Sequence, residues 1–125
     1  IVYKPDHQGN IVADYQAFER IMNNLIDNAI KYSDKNSKIT VSTFNEADEY
    51  IKILVEDSGE GISPEDKDHI FSRFYRTASA RATDNQGSGL GLAIVKHLVN
   101  SLNGEVGVQN SKTKGSVFWF TVPLA

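Results

Sequence analysis

A chain of 125 residues with 40% hydrophobic and 23% charged side chains and a net charge of -3 has ordinary globular composition and can bury a core of its own. The slight acidity argues against a sequence-independent grip on nucleic acid, which needs a basic face. The complete lack of cysteine excludes disulfides, thiolate zinc sites and cysteine nucleophiles. No apolar run approaches the roughly 20 residues of a membrane span, and the opening Ile1-Val2-Tyr3-Lys4 is no signal peptide. Without an initiator methionine, residues 1–125 read as a single domain excised from a longer protein.

Asp14 precedes a helical pattern in which Phe18, Ile21, Met22, Leu25, Ile26, Ala29 and Ile30 share one face. Ser33 to Ser37 ends that helix. Ile39 to Phe44 alternates as a strand, Glu46 to Glu49 forms a turn, and Tyr50 to Val55 is the return strand of a hairpin. Ser63-Pro64-Glu65-Asp66 is the start of a short helix: serine caps, proline sits in the first turn and acids follow. From Thr77 to Gln86 the residues are small or polar without period, which predicts a mobile loop. A second long helix spans about Leu90 to Leu102, closed by Asn103-Gly104. Glu105 to Gln109 and Ser116 to Val122 read as two further strands, joined through Thr113-Lys114-Gly115. Hairpins in this order favour a mostly antiparallel sheet with helices on one face.

Three clusters carry chemistry. Asn24 and Asn28 are four residues apart on the first helix, and Lys31 follows one turn later, so two amides and an ammonium lie on one side. Amide oxygens suit a hard cation and an ammonium suits phosphate, although a solvated polar face would look the same. Asp57-Ser58-Gly59-Glu60-Gly61-Ile62 leaves the end of a strand; its glycines admit close backbone approach, and its aspartate accepts from an exocyclic amine such as that of adenine. Asp-x-Gly-x-Gly is also an ordinary turn. Gly87-Ser88-Gly89-Leu90-Gly91-Leu92 opens the last helix, where glycine-exposed amides make an anion site or a hinge. A dinucleotide fingerprint would need glycine at Leu92 and a strand just before, and no Gly-Lys-Ser/Thr follows a glycine loop.

Taken in order, the asparagine box, Asp-x-Gly-x-Gly, the Phe-rich box Phe71-Ser72-Arg73-Phe74-Tyr75-Arg76 and Gly-x-Gly-x-Gly resemble the ATP-binding catalytic domain of sensor histidine kinases from about Asp14 to Val122. The resemblance implies an α+β two-layer sandwich: a mixed, mostly antiparallel sheet of about five strands, three helices on one face and a mobile ATP lid at Thr77 to Gln86. It also implies roles. Asp57 would bind the adenine amino group, with Gly59, Gly61 and Ile62 shaping the pocket. Asn28 would ligate magnesium, and Asn24 would lie near metal and phosphates. Lys31 would face phosphate, with Tyr32 beside the nucleotide. Gly87, Ser88, Gly89 and Gly91 would turn backbone towards phosphate, with Leu90 and Leu92 anchoring the helix. Phe74 would pin the lid base, and Arg76 is either a phosphate contact or solvated.

ATP and Mg2+ are thus the implied cofactors, and transfer of the γ-phosphoryl group to a histidine is the implied reaction. The family's acceptor histidine stands in a His-Glu context on a separate helical hairpin. His7-Gln8, His69-Ile70 and His97-Leu98 do not match it, so this chain supplies no nucleophile. The implied partners are the histidine-bearing dimerisation domain and a response regulator receiver domain. Neither nucleic acid nor direct membrane contact is expected, and the domain would lie on the cytoplasmic side of a parent that in many relatives is a membrane sensor. Water-activating relatives of this fold carry a glutamate where this chain has Asn24, and an amide takes no proton at neutral pH. A nucleotide-sensing module that binds without transfer is the other alternative.

Overall fold

The computed structural model describes residues 2–6, 14–32, 38–59, 61–67, 69–72, 91–111 and 115–124. Five strands form one sheet in the order β1-β2-β3-β5-β4: β1 (Val2–Asp6), β2 (Thr40–Glu46), β3 (Tyr50–Glu56), β4 (Val106–Asn110) and β5 (Ser116–Pro123). The helices among the described residues are α1 (Tyr15–Tyr32), α2 (Pro64–Lys67) and α3 (Gly91–Ser101). β1 pairs with β2 in parallel and the other three pairings are antiparallel. The sheet is therefore mixed and mostly antiparallel, as expected. The element that chain-order reading passed over is β1, an edge strand carrying Lys4, Pro5 and Asp6, a composition tolerated only at sheet edges.

One face of the sheet is apolar because alternate residues point to it. On β3 these are Ile51, Ile53 and Val55, paired across to Val122, Phe120 and Phe118 of β5. Ile21, Leu25 and Ala29 of α1 and Val95 and Val99 of α3 are fully buried against this face. Phe18 meets Phe120 with ring centroids 5.8 Å apart. Asp14 caps α1 by accepting the Gln16 N–H at 2.9 Å, while its carbonyl accepts Phe18 N–H. One residue departs from the predicted apolar stripe: Ile30, near the end of α1, is 55% exposed.

α2 begins as its residues predict. Asp66 N–H donates to the Ser63 hydroxyl at 3.3 Å, and that hydroxyl donates to Asp66 Oδ2 at 2.9 Å. The chain then sends Ile70 into the core and sets Phe71 edge-on to Phe118 at 6.2 Å. α3 closes with Asn103 at φ 64° and Gly104 N–H donating to Val99 carbonyl at 3.0 Å. The residues expected to form the lid, 77–86, lie outside the described residues.

Candidate functional site

The connections bring Asp57, the asparagine face of α1 and Gly91 at the start of α3 to one end of the sandwich. β3 ends at Glu56 and β5 begins at Ser116, and Asp57 N–H donates to the Ser116 carbonyl at 2.9 Å, so Asp57 sits where the two strands meet. β2 starts at this same end, because Thr40 pairs with Glu56, and the Ser58 hydroxyl donates to the Lys38 carbonyl at 3.2 Å. α3 runs away from this end: its last turn hands over through Gly104 to the far end of β4. A Cβ at Gly104 would stand 1.8 Å from the Thr121 carbonyl oxygen, a measure of how tightly that handover is drawn. The first turn of α3 consequently lies at the Asp57 end.

Asp57 is 3% exposed and its carboxylate is built into the sheet end. Oδ1 accepts the Gly59 N–H at 2.9 Å and the Ser116 N–H at 3.2 Å. Oδ2 accepts the Ser116 hydroxyl at 2.8 Å. A buried carboxylate held from three sides is fixed in position and orientation, which is what a recognition group needs. Gly115, at φ +101°, allows this. A Cβ there would lie 2.1 Å from the Asp57 carbonyl oxygen and 2.9 Å from Oδ1. Gly61 is left-handed as well, at φ +86°, and a Cβ on it would press against Asn110 Oδ1 at 3.1 Å and the Gly115 carbonyl at 3.2 Å. Gly59 is buried, while Gly61 and Ile62 are half-buried, with Ile62 packed on the core.

Asn24 and Asn28 are both half-buried on α1, flanking the fully buried Leu25 and Ala29. Asn24 Oδ1 comes within 3.6 Å of where a Gly91 Cβ would stand, so the asparagine face of α1 looks onto the start of α3. Leu92, the next residue, packs half-buried against the core. Lys31 is exposed one turn on, and Tyr32 closes α1 with its side chain outside the described residues. Phe74, Arg76, Gly87, Ser88, Gly89 and Leu90 also lie outside them. His69 and His97 are exposed.

Sequence reading missed Gly115, Ser116 and Asn110. By sequence Gly115 belongs to a turn and Ser116 to the start of a strand, and Asn110 stands in no motif. The available signal was a glycine immediately before an alternating strand; nothing local tied either residue to Asp57, 59 positions away in the case of Ser116. Among the described residues no group of three or more His, Cys, Asp or Glu side chains gathers in metal-binding geometry, and no helix is long and apolar enough to cross a membrane.

With this geometry the likeness to known proteins is specific. The family model described as histidine kinase-, DNA gyrase B- and HSP90-like ATPase matches residues 13–125. The sensor protein CiaH of Streptococcus pneumoniae is 42% identical over 108 residues, which are 86% of this chain and 24% of CiaH. The chain thus spans about a quarter of that relative's length. The mycobacterial sensor histidine kinase MprB superposes with a TM-score of 0.87 at 29% identity, over 98% of this chain and 83% of that one. The nucleotide-free catalytic domain of histidine kinase ThkA superposes with a TM-score of 0.80 at 27% identity, over 98% and 80%. A buried aspartate at the sheet end, an asparagine helix face turned to the start of α3 and these matches lead to one conclusion: the chain belongs to the histidine kinase-, DNA gyrase B- and HSP90-like ATPase family, as an ATP-binding catalytic domain of the sensor-histidine-kinase type.

Proposed function

We propose that this domain binds Mg-ATP at the Asp57 end of the sheet and presents the γ-phosphoryl group to a histidine carried by a separate dimerisation and phosphoacceptor domain, within a single-domain unit of residues 1–125. The observation that carries the reading is the Asp57 carboxylate, 3% exposed and held by Gly59 and Ser116. Burying a carboxylate costs free energy that only hydrogen bonds offset; the three at Asp57 hold it in one orientation, as an acceptor for a ligand donor must be held. Asp57 accepts the adenine amino group, and Gly59, Gly61 and Ile62 form the floor beneath the base. Guanine places a carbonyl where adenine has its amine, and two acceptors would face each other.

Asn28, with Asn24 beside it, offers amide oxygens to a hard cation. Two neutral oxygens alone do not hold magnesium, so Asn28 and Asn24 would hold it only together with phosphate oxygens of the nucleotide. When bound it offsets charge that develops during phosphoryl transfer. Lys31 adds a positive charge at the same side, and Tyr32 flanks the nucleotide. Gly91 and Leu92 begin the helix whose first amides face phosphate. Gly87, Ser88, Gly89, Leu90, Phe74 and Arg76 complete the phosphate and lid region in this proposal.

The chain's own part is positioning. In the transfer, the bond from the γ-phosphorus to the β–γ bridging oxygen breaks and a bond to an imidazole nitrogen forms. ADP leaves with the bridging electrons, and the ring proton is lost. The acceptor histidine and the group assisting it belong to the partner, and a response regulator receiver domain takes the phosphoryl group from there. The domain works on the cytoplasmic side of its parent protein. Asn24 supports transfer over hydrolysis, since an amide in that place cannot activate water.

The test uses the chain alone and with a cognate histidine-bearing helical domain. Magnesium-dependent ATP binding, acid-labile phosphate on the partner and none on this chain are expected. Steady-state hydrolysis by the chain alone near about one per second, the low end for enzymes, would overturn the kinase reading in favour of a self-sufficient ATPase.

A further inference from the structure

The adjoining ends of β4 and β5 touch the Asp57–Ile62 segment at two places. The first is Ser116 on Asp57. The second is Asn110, the last residue of β4, whose Oδ1 accepts the Ile62 N–H at 3.0 Å across 48 positions of sequence. The same oxygen stands 3.1 Å from where a Gly61 Cβ would be, so it also walls the left-handed glycine at φ +86°. Asn110 and Ser116 are register partners across the β4–β5 ladder, so the two contacts issue from one rung. Ser111 braces that rung: its N–H donates to the Gly115 carbonyl at 3.0 Å and its hydroxyl to Glu56 Oε1 at 2.8 Å.

We propose that Asn110 is a positioning residue of the nucleotide site, pinning Gly61 and Ile62 at a fixed distance from the Asp57 carboxylate so that the adenine floor is preformed. The proposal rests on the reading of Asp57 as the adenine acceptor. Its physical content is a population. Between Asp57 and Ile62 the backbone includes two glycines, and glycine samples many conformations. One hydrogen bond at the far end selects the competent one. Without it the competent fraction falls, and apparent affinity falls by the same factor.

Asn110 is exposed, so its replacement leaves the core intact. Asn110→Ala removes the acceptor, and Asn110→Asp keeps an oxygen in the same place. In calorimetric titrations with ATP and with GTP, Asn110→Ala is expected to weaken ATP binding roughly 2-fold to 10-fold, the range of one neutral hydrogen bond. The ATP-to-GTP ratio should fall as well, because the floor and the acceptor no longer keep register. Exchange of the Ile62 amide should speed up in parallel. Asn110→Asp should restore the ratio, a quantity in which any uniform repulsion of phosphate by the added charge cancels. Equal weakening of ATP and GTP, or faster Ile62 exchange with unchanged ATP affinity, would overturn the positioning role. Asp57→Asn serves as the internal reference. Loss of ATP preference there but not in Asn110→Ala overturns the positioning role alone, whereas indifference in both overturns it together with the adenine assignment.

Discussion

Replacing Asp57 by asparagine and by alanine separates recognition from architecture at one residue. In Asp57→Ala the Gly59 and Ser116 amides lose their shared acceptor in a place that is 3% exposed. An unsatisfied buried donor costs about 1–3 kcal/mol, so two cost about 2–6 kcal/mol before the Ser116 hydroxyl is considered. Against a total stability of about 5–15 kcal/mol for a domain, the alanine variant approaches unfolding. Asp57→Asn behaves differently. Its Oδ1 still accepts both amides. Its nitrogen replaces Oδ2, and the Ser116 hydroxyl, now 2.8 Å from a donor, turns to accept. The fold loses only the charge-assisted part, about 1–2 kcal/mol. Adenine has no such remedy, because its amine then meets an amine. Loss of a hydrogen bond to a charged group, about 1.5–3 kcal/mol, weakens ATP roughly 10-fold to 150-fold. Urea denaturation gives the stabilities and calorimetric titration gives the affinities. Equal destabilisation by asparagine and alanine would refute the hydrogen-bond reasoning. An asparagine variant that binds ATP as tightly as the unmutated chain would refute the assignment to adenine.

Other substitutions test other parts of the molecule. Asn28→Ala is expected to abolish the magnesium dependence of ATP binding while lowering the urea midpoint little, since the side chain is half-buried beside, not within, the α1 core stripe; unchanged magnesium dependence would remove Asn28 from the metal. Gly104→Ala sets a Cβ 1.8 Å from the Thr121 carbonyl oxygen, which forces backbone apart and should cost about 3 kcal/mol; a loss below about 0.5 kcal/mol would contradict the close approach of α3's end to β5. The exposed turn residues Ala47 and Asp48 are left-handed at φ 53° and 57°. Ala47→Asn with Asp48→Gly should therefore stabilise the chain by about 1 kcal/mol, read from the urea midpoint.

Local pattern carried most of the fold. The α1 stripe was legible because Ile21, Leu25 and Ala29 recur at helical spacing and are the residues fully buried on the sheet. β2 was legible because Ile39 to Phe44 alternates apolar with polar, as a one-sided sheet imposes, and β3 because it follows across a short turn as the other arm of the hairpin. Ile30 misled because periodicity records only that an apolar residue lies near the stripe, not how far the partner layer extends. β1 gave no signal because a short edge strand with Lys4, Pro5 and Asp6 has no apolar alternation to read; what identifies it is its parallel register with β2, Val2 with Thr40 to Asp6 with Phe44.

The site divides along the same line. Asn24, Asn28, Asp57, Gly61 and Gly91 are each visible in a short motif, because each motif is the local requirement of one helix or one turn. What holds Asp57 is not local. Ser116 and Gly115 reach it only because β5 pairs with β3, and Asn110 reaches Ile62 only because β4 pairs with β5. A hydrogen bond across 48 or 59 positions leaves no periodicity behind it. The glycine φ angles are the exception that explains the rule. Gly115 at +101° and Gly61 at +86° are forced by neighbours distant in sequence, yet each is written as a glycine. The sequence therefore records that these two positions are bare, and the sheet topology supplies the reason: the Asp57 backbone carbonyl at Gly115 and the Asn110 amide oxygen at Gly61 stand where a side chain would begin. Recognition groups are legible where they stand on a single element, and their supports become legible only when the strands are paired.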